Sequence, residues 1–343
     1  MTKADPSAAQ TLSAADHAAA LEAARRIRAG ELVAFPTETV YGLGADASND
    51  KAVAKIFAAK GRPADHPLIV HVASAAQVAD YAASVPAFAA LLTEAFWPGP
   101  LTVILPRRPG MANAAAAGQD SIGLRCPSHP LALAFLQACL QSGVTGVAGP
   151  SANRFGRVSP TAAAHVRQEF GADVWVLDGG PCEVGIESAI VDCTRSRPVL
   201  LRPGALTRAQ LEAACGEAVL DAGDADSDAG MTGEAPRAPG TLASHYAPNA
   251  KVRLMDAAAI QTALDLLGAD AAHIAVYARS IVRIKSERVI YRRMPDDALA
   301  AAQQLFAVLR GFDGQGVKLI WIEPPPPGAE WDGVRDRLGR AAA

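Results

Sequence analysis

The sequence predicts an α/β protein: a twisted, open sheet of mixed or largely parallel strands, followed by a second, smaller Rossmann-like α/β domain. Three observations predict it. Short apolar runs alternate with helical patterns along most of the chain. Between 215 and 239 the composition shifts to Ala, Gly, Asp and Glu with no apolar period, as in a linker. From 251 the alternation of strand and helix resumes. Domains are therefore expected at 13–214 and 251–343, joined by a linker over 215–250.

Ser13 and Asp16 give an S-x-x-D start signal for a helix ending at Gly30. A strand over 32–35 stops at Pro36, and the polar residues Thr37, Glu38, Thr39 and Tyr41 follow. Gly42 and Gly44 would let the backbone turn tightly or approach a ligand. A helix over 49–59 has Asn49 as its N-cap and Gly61 just past its end. Next come a strand over 68–72, helices near 74–81 and 86–96, and a rigid corner, Trp97-Pro98-Gly99-Pro100, before a strand over 101–105. Ser121–Arg125 reads as a strand and Pro130–Gln141 as a helix. A strand over 144–148 delivers the polar turn Gly149-Pro150-Ser151-Ala152-Asn153. Ser159-Pro160 reads as the cap of a helix to Phe170, and short strands are expected at 174–177, 188–192 and 199–201. The linker ends in Pro239-Gly240 and His245-Tyr246-Ala247-Pro248, too aromatic for a passive spacer. The second domain reads as strand 252–255, helix Ala257–Leu267, strands 274–277 and 289–291, helix 296–310, strand 317–322 and helix 331–342.

The bulk numbers exclude several classes. With 343 residues, 50% apolar and 5% aromatic, cores of Ala, Val, Leu and Ile are large enough to fold unaided. A net charge of −3 argues against holding nucleic acid by bulk positive charge. Five cysteines without a C-x-x-C pair fit free thiols in a reducing compartment. No leader pattern and no membrane-length apolar run is visible, so a soluble cytoplasmic chain is expected.

The candidate chemistry starts with Lys60 and Arg62, two cations one residue apart. They are either a solvated helix end favoured by the macrodipole or a site for an anion. Arg125 and Arg202 each follow a short apolar run, and arginines at strand ends can converge on one crevice, where their fork suits carboxylate or phosphate. Ser151 and Asn153 could be turn chemistry or ligand contacts. Glu187-Ser188 could be a bulge in a strand. His66 and His71 flank an apolar strand and could be core histidines or catalysts. Gly42-Leu-Gly44 is a weak match to a dinucleotide loop, and no P-loop motif occurs, so a nucleotide would be held another way.

Together these segments resemble the long, two-domain threonylcarbamoyl-adenylate synthases. The matching blocks include Phe35–Gly44, Lys60–Arg62, Trp97–Thr102, Arg125 with His129-Pro130, Pro150–Asn153, Leu201–Gly204 and His245–Pro248. The resemblance implies a reaction of L-threonine, bicarbonate or CO₂ and ATP, with Mg²⁺ carried by the ATP, giving threonylcarbamoyl-AMP and pyrophosphate. The product would pass to a tRNA threonylcarbamoyl transferase for modification of adenosine 37. The family's catalytic set falls on Lys60, Arg62, Ser151 and Asn153. Its threonine set falls on Thr39, His71, Arg125, Gly149 and Ser188. Its nucleotide contacts fall on Arg62, His66, Ser121, Ser151, Ser159 and Arg202, with either Tyr246 or the backbone standing in for an aromatic residue that Ala243 cannot supply. Ala189 stands where relatives commonly have Thr, and His66 where they have Asn. Two other readings are a non-catalytic module for double-stranded RNA or tRNA and a carbamoyl transferase of hydrogenase maturation. The missing C-x-x-C pairs count against the latter.

Overall fold

The computed structural model describes residues 12–227, 235–241 and 245–343. The chain opens with α1 (Ala14–Arg28), started by the Ser13–Asp16 capping box, then β1 (Val33–Phe35), β2 (Gly42–Asp46) and α2 (Asp50–Lys60). β3 (Ile69–His71), α3 (Val78–Tyr81), α4 (Ala87–Phe96), β4 (Leu101–Pro106), α5 (Asn113–Ala116) and β5 (Ser121–Arg125) follow. Then come α6 (Pro130–Gln141), β6 (Val147–Ala148), α7 (Ala163–Phe170), β7 (Trp175–Val176), β8 (Ala189–Asp192) and β9 (Val199–Arg202). α8 (Arg208–Cys215), β10 (Leu220–Asp221) and α9 (Ala222–Ser227) complete the first half. The second half is β11 (Lys251–Leu254), α10 (Ala257–Leu267), β12 (Ile274–Ala278), β13 (Val289–Arg293), α11 (Ala298–Gly314), β14 (Leu319–Ile322) and α12 (Asp332–Ala342).

Ten strands form one open sheet in the order β10-β9-β8-β4-β5-β3-β6-β2-β1-β7. It is mixed: β3 runs parallel to β5 and β4 to β8, while β4–β5, β3–β6, β2–β6 and β1–β2 are antiparallel. One face packs α2 and α4 through Ile56, Leu43, Val70 and Leu92. Val33 and Phe35 alternate to the other face, under α1 and α6. The register of β3 sets His71 opposite Arg125 on one side and Val147 on the other.

The second sheet is wholly parallel, in the order β11-β14-β12-β13. Ile274 and Val276 face α10, whereas Ala275 and Tyr277 face α11 and α12, which makes a three-layer unit. The apolar cluster around α11 and α12 also takes in Val40, Val158 and Ile186 from the first half, and Tyr246. Gly185 fits against the α11 backbone so closely that a Cβ would lie 2.3 Å from the Gln303 carbonyl oxygen.

The structure corrects several expectations. Gly42 and Gly44 lie in β2, not in a turn. Their missing side chains make room for the Phe35 ring, which a Cβ on Gly42 would meet at 2.8 Å. Ser159 does not cap α7, whose N-cap is Ala162, because its hydroxyl is spent on Glu187. α8 falls where no helix was expected. Within the segment read as linker, β10 pairs with β9. Leu242 and Ala243 lie outside the described residues. All five cysteines are free and buried.

Candidate active site

Gly61 ends α2 in the left-handed region, at φ +62°, which suits a residue without a Cβ. The chain therefore turns inward, and both Lys60 and Arg62 are buried, at 3% and 8% exposure. A solvated helix end is ruled out. Lys60 Nζ donates to the Ser151 carbonyl at 2.6 Å and to the Asn153 carbonyl, tying α2 to the turn after β6. Burial pulls its pKa well down, and Arg62 pushes the same way. Arg62 donates to the Pro67 carbonyl at 3.0 Å and lies over the Phe155 ring, while its Nε has no partner. Burial lowers its pKa to about 10, so it stays charged at neutral pH.

Arg62, but not Lys60, reaches a crevice lined also by Thr37, His71, Arg125, Gly149, Ser151, Glu187, Ser188, Arg202 and the linker residues Pro239, Gly240, His245 and Tyr246, among others. Three arginines from α2's exit, β5 and β9 thus share one hollow. Arg125 Nη2 is 2.6 Å from Glu38 Oε1, with both side chains almost fully buried. Arg202 donates through Nε and Nη2 to the Ser188 carbonyl and through Nη1 to the Pro239 carbonyl at 3.0 Å. His71 is pushed down to about 3, chiefly by burial and then by Arg125, so it is neutral at pH 7. Its Nδ1 is buried without a partner. Tyr246 Oη is likewise unpartnered, and its ring stacks on Phe306 of α11 at 5.5 Å. The hollow left inside is only about 50 Å³.

Not every predicted residue reaches the crevice. Thr39 does not line it; its hydroxyl bonds that of Thr37, which does. Asn153 lies behind the lining and donates to the carbonyls of Arg154 and Arg157. Ser121 belongs to an adjoining hollow with Gln119 and Arg237. His66 sits edge-on to Phe155 at 5.5 Å, and Ser159 reaches the crevice only through Glu187. The sequence reading missed Thr37, Glu38, His245 and the role of Glu187. For Glu187 a signal existed, a carboxylate next to Ser188 after a glycine-rich stretch. Also missed was Arg337 of α12, whose Nε lies 2.8 Å from Glu187 Oε2.

Fold and crevice define an α/β protein with a buried, cation-lined site at the carboxyl ends of β3, β5, β6 and β9, where ligands of such folds bind. A family model described as telomere recombination (Sua5, YciO and YrdC) matches residues 25–204. A second, described as the C-terminal domain of threonylcarbamoyl-AMP synthase, matches 206–343. The threonylcarbamoyl-AMP synthase of Bacillus subtilis is 39% identical over 329 residues, 94% of this chain and 92% of the relative. That of Pyrococcus abyssi is 37% identical over 93% of each chain. The solved structure of P. abyssi Sua5 complexed with L-threonine matches with a TM-score of 0.85 and 34% identity, over 97% of this chain and 96% of the other. The chain belongs to the threonylcarbamoyl-AMP synthase family, in its long two-domain form, and is an enzyme.

Proposed function

We propose that this enzyme is a nucleotidyltransferase that makes threonylcarbamoyl-AMP and pyrophosphate from L-threonine, bicarbonate or CO₂ and ATP, for modification of adenosine 37 in tRNA. The observation that carries the reading is the meeting of Arg62, Arg125 and Arg202 in one buried crevice. A relative solved with L-threonine supports the amino-acid half of it.

Threonine's carboxylate would take Arg125, whose Nη2 is engaged by Glu38 while Nη1 remains for the ligand. The neutral His71 offers its unpartnered Nδ1 to the substrate's hydroxyl or amine, with Thr39 acting through Thr37. Gly149 leaves space beside that ring: a Cβ there would stand 3.0 Å from His71 Nδ1. Ser188 completes the threonine set. Arg62, Ser151 and Arg202 would hold the nucleotide, with His66, Ser121, Ser159 and Tyr246 around it. Lys60 and Asn153 fix the turn that carries Ser151.

The neutral threonine amine attacks CO₂ and gives up a proton to solvent, the carbamate oxygen then attacks the α-phosphorus, and the bond to the β-phosphate oxygen breaks so that pyrophosphate leaves. Holding the partners in line and offsetting their charge supplies most of the acceleration in such transfers. Mg²⁺ would arrive with the ATP and offset the charge of its phosphates. A crevice of about 50 Å³ is far below the roughly 300 Å³ of a small ligand pocket. The crevice would have to widen to admit a nucleotide, and Pro239, Gly240, His245 and Tyr246 are the lining residues contributed by the linker. In this reading the product passes to a separate tRNA threonylcarbamoyl transferase in the cytoplasm.

The test is release of pyrophosphate from ATP with and without threonine, in bicarbonate. Threonine-dependent release is expected. Release that does not depend on threonine would refute the reading.

A further inference from the structure

We propose that Arg337 is a positioning residue for the crevice: from the second half of the chain it holds the Glu187 carboxylate, which leaves Arg202 free for the anionic substrate. The inference rests on the nucleotide reading of the crevice.

Glu187 lines the hollow at 6% exposure. A lone carboxylate there would oppose a polyanion and draw the nearest cation to itself. Both of its oxygens are instead occupied from outside the hollow. Oε1 accepts from the Ser159 hydroxyl and Oε2 from Arg337 Nε at 2.8 Å. Arg337 Nη2 adds the Glu187 carbonyl at 3.1 Å, and Nη1 takes the Pro203 carbonyl and Asp336. At 1% exposure, Arg337 does not itself line the hollow. The approach that lets it reach is tight: a Cβ on Gly333, one turn earlier in α12, would stand 2.5 Å from the Gly204 carbonyl oxygen.

The groups that face Glu187 are Arg337 and Asp336 from α12, Arg202 from β9, Lys60 from α2, and His245 and Tyr246 from the end of the linker. Burial pushes the Glu187 carboxyl up, but Arg337, then Arg202 and Ser159, outweigh it and hold it below its ordinary value. With Arg337 in place, Arg202 spends its donors on neutral groups, the Ser188 carbonyl and hydroxyl and the Pro239 carbonyl, and makes no direct ion pair with Glu187. Without Arg337, Arg202 becomes the principal cation left for the carboxylate.

The experiment uses the full chain and four proteins: wild type, Arg337→Met, Glu187→Gln and the double variant. Threonine-dependent pyrophosphate release is followed at varied ATP between pH 6 and 9. Arg337→Met is expected to lose roughly tenfold to a hundredfold in kcat/KM for ATP. The loss should deepen as pH rises, because the unpaired carboxyl then ionises and captures Arg202. Adding Glu187→Gln should restore most of it and abolish the pH dependence. A merely structural arginine would give a pH-independent loss that the glutamine does not rescue, and that result overturns the proposal. So does an unaffected Arg337→Met. If Arg337→Met alone does not fold, the double variant decides against Glu187→Gln: activities within about threefold support the inference, and a much weaker double variant overturns it. A wild type without threonine-dependent release would instead sink the nucleotide reading, which keeps the two failures apart.

Discussion

Replacing Arg125 by Ala separates the two substrates, and the size of the effect follows from its surroundings. Arg125 and Glu38 are each 4% exposed along the side chain and 2.6 Å apart. Removing the guanidinium therefore does two things. It strands a buried carboxylate, which costs about 3–5 kcal/mol of stability. It also removes a charge-assisted bond to the threonine carboxylate, about 1.5–3 kcal/mol of binding, or roughly 10- to 150-fold in affinity. The first loss lowers the amount of folded enzyme and so scales all rates alike. Only the second changes the threonine requirement relative to the ATP requirement. Initial rates of pyrophosphate release over a grid of both substrates give the two KM values. Thermal unfolding of the same sample reads the stability term. The expected result is a threonine KM raised at least about tenfold, an ATP KM within about threefold of wild type, and a clearly lower Tm. Equal rises in both KM values would refute the carboxylate role, and an unchanged Tm would refute the buried pair.

Three further outcomes can be measured. Gly42→Ala forces a Cβ to 2.8 Å from the Phe35 ring and should cost about 1–3 kcal/mol, seen as a lower Tm; an unchanged Tm would show that the ring can shift freely. His71 and His245 are pushed to about 3 and His165 to about 4, chiefly by burial, so the unfolded chain binds more protons than the folded one between those values and 6.5. Stability should then fall as pH drops below 6.5, by up to about 1.4 kcal/mol per pH unit for each such histidine. Denaturation midpoints at pH 7, 6 and 5 should show a shallower decline for His71→Gln, and parallel curves would exclude His71 from the effect. Ending the chain at 250 bares Val40, Val158 and Ile186 and leaves Glu187 without Arg337. Such a protein should be poorly soluble and inactive in the release assay; full activity would deny the second half any part in the crevice.

Much of this was legible in the sequence because it is local. Capping by Ser13 and Asn49 and the left-handed stop at Gly61 depend on neighbours within a turn, and each stands where the residue types predict. α8 carried the same kind of local signal, a capping box of Thr207 and Gln210 three residues apart, and the sequence reading missed it. The glycines of β2 were not, because their reason is the Phe35 ring on the neighbouring strand. The convergence of Arg62, Arg125 and Arg202 could be anticipated from arginines at element ends. The partners that set their charge could not. Glu38 meets Arg125 across 87 residues, and Arg337 meets Glu187 across 150. Ser159 looked like a helix cap for the same reason, since nothing nearby in sequence announces the carboxylate that claims its hydroxyl.

Val40 and Ile186 rest on the same apolar surface as Phe306 and Leu338. A recombination event that exchanged everything after residue 250 would bring in a foreign surface for the crevice wall to lean on. Hybrids between distant relatives should therefore fail unless those wall positions are exchanged as well. Heredity would then keep the two halves of this chain together as one unit of selection, even though each has a sheet of its own.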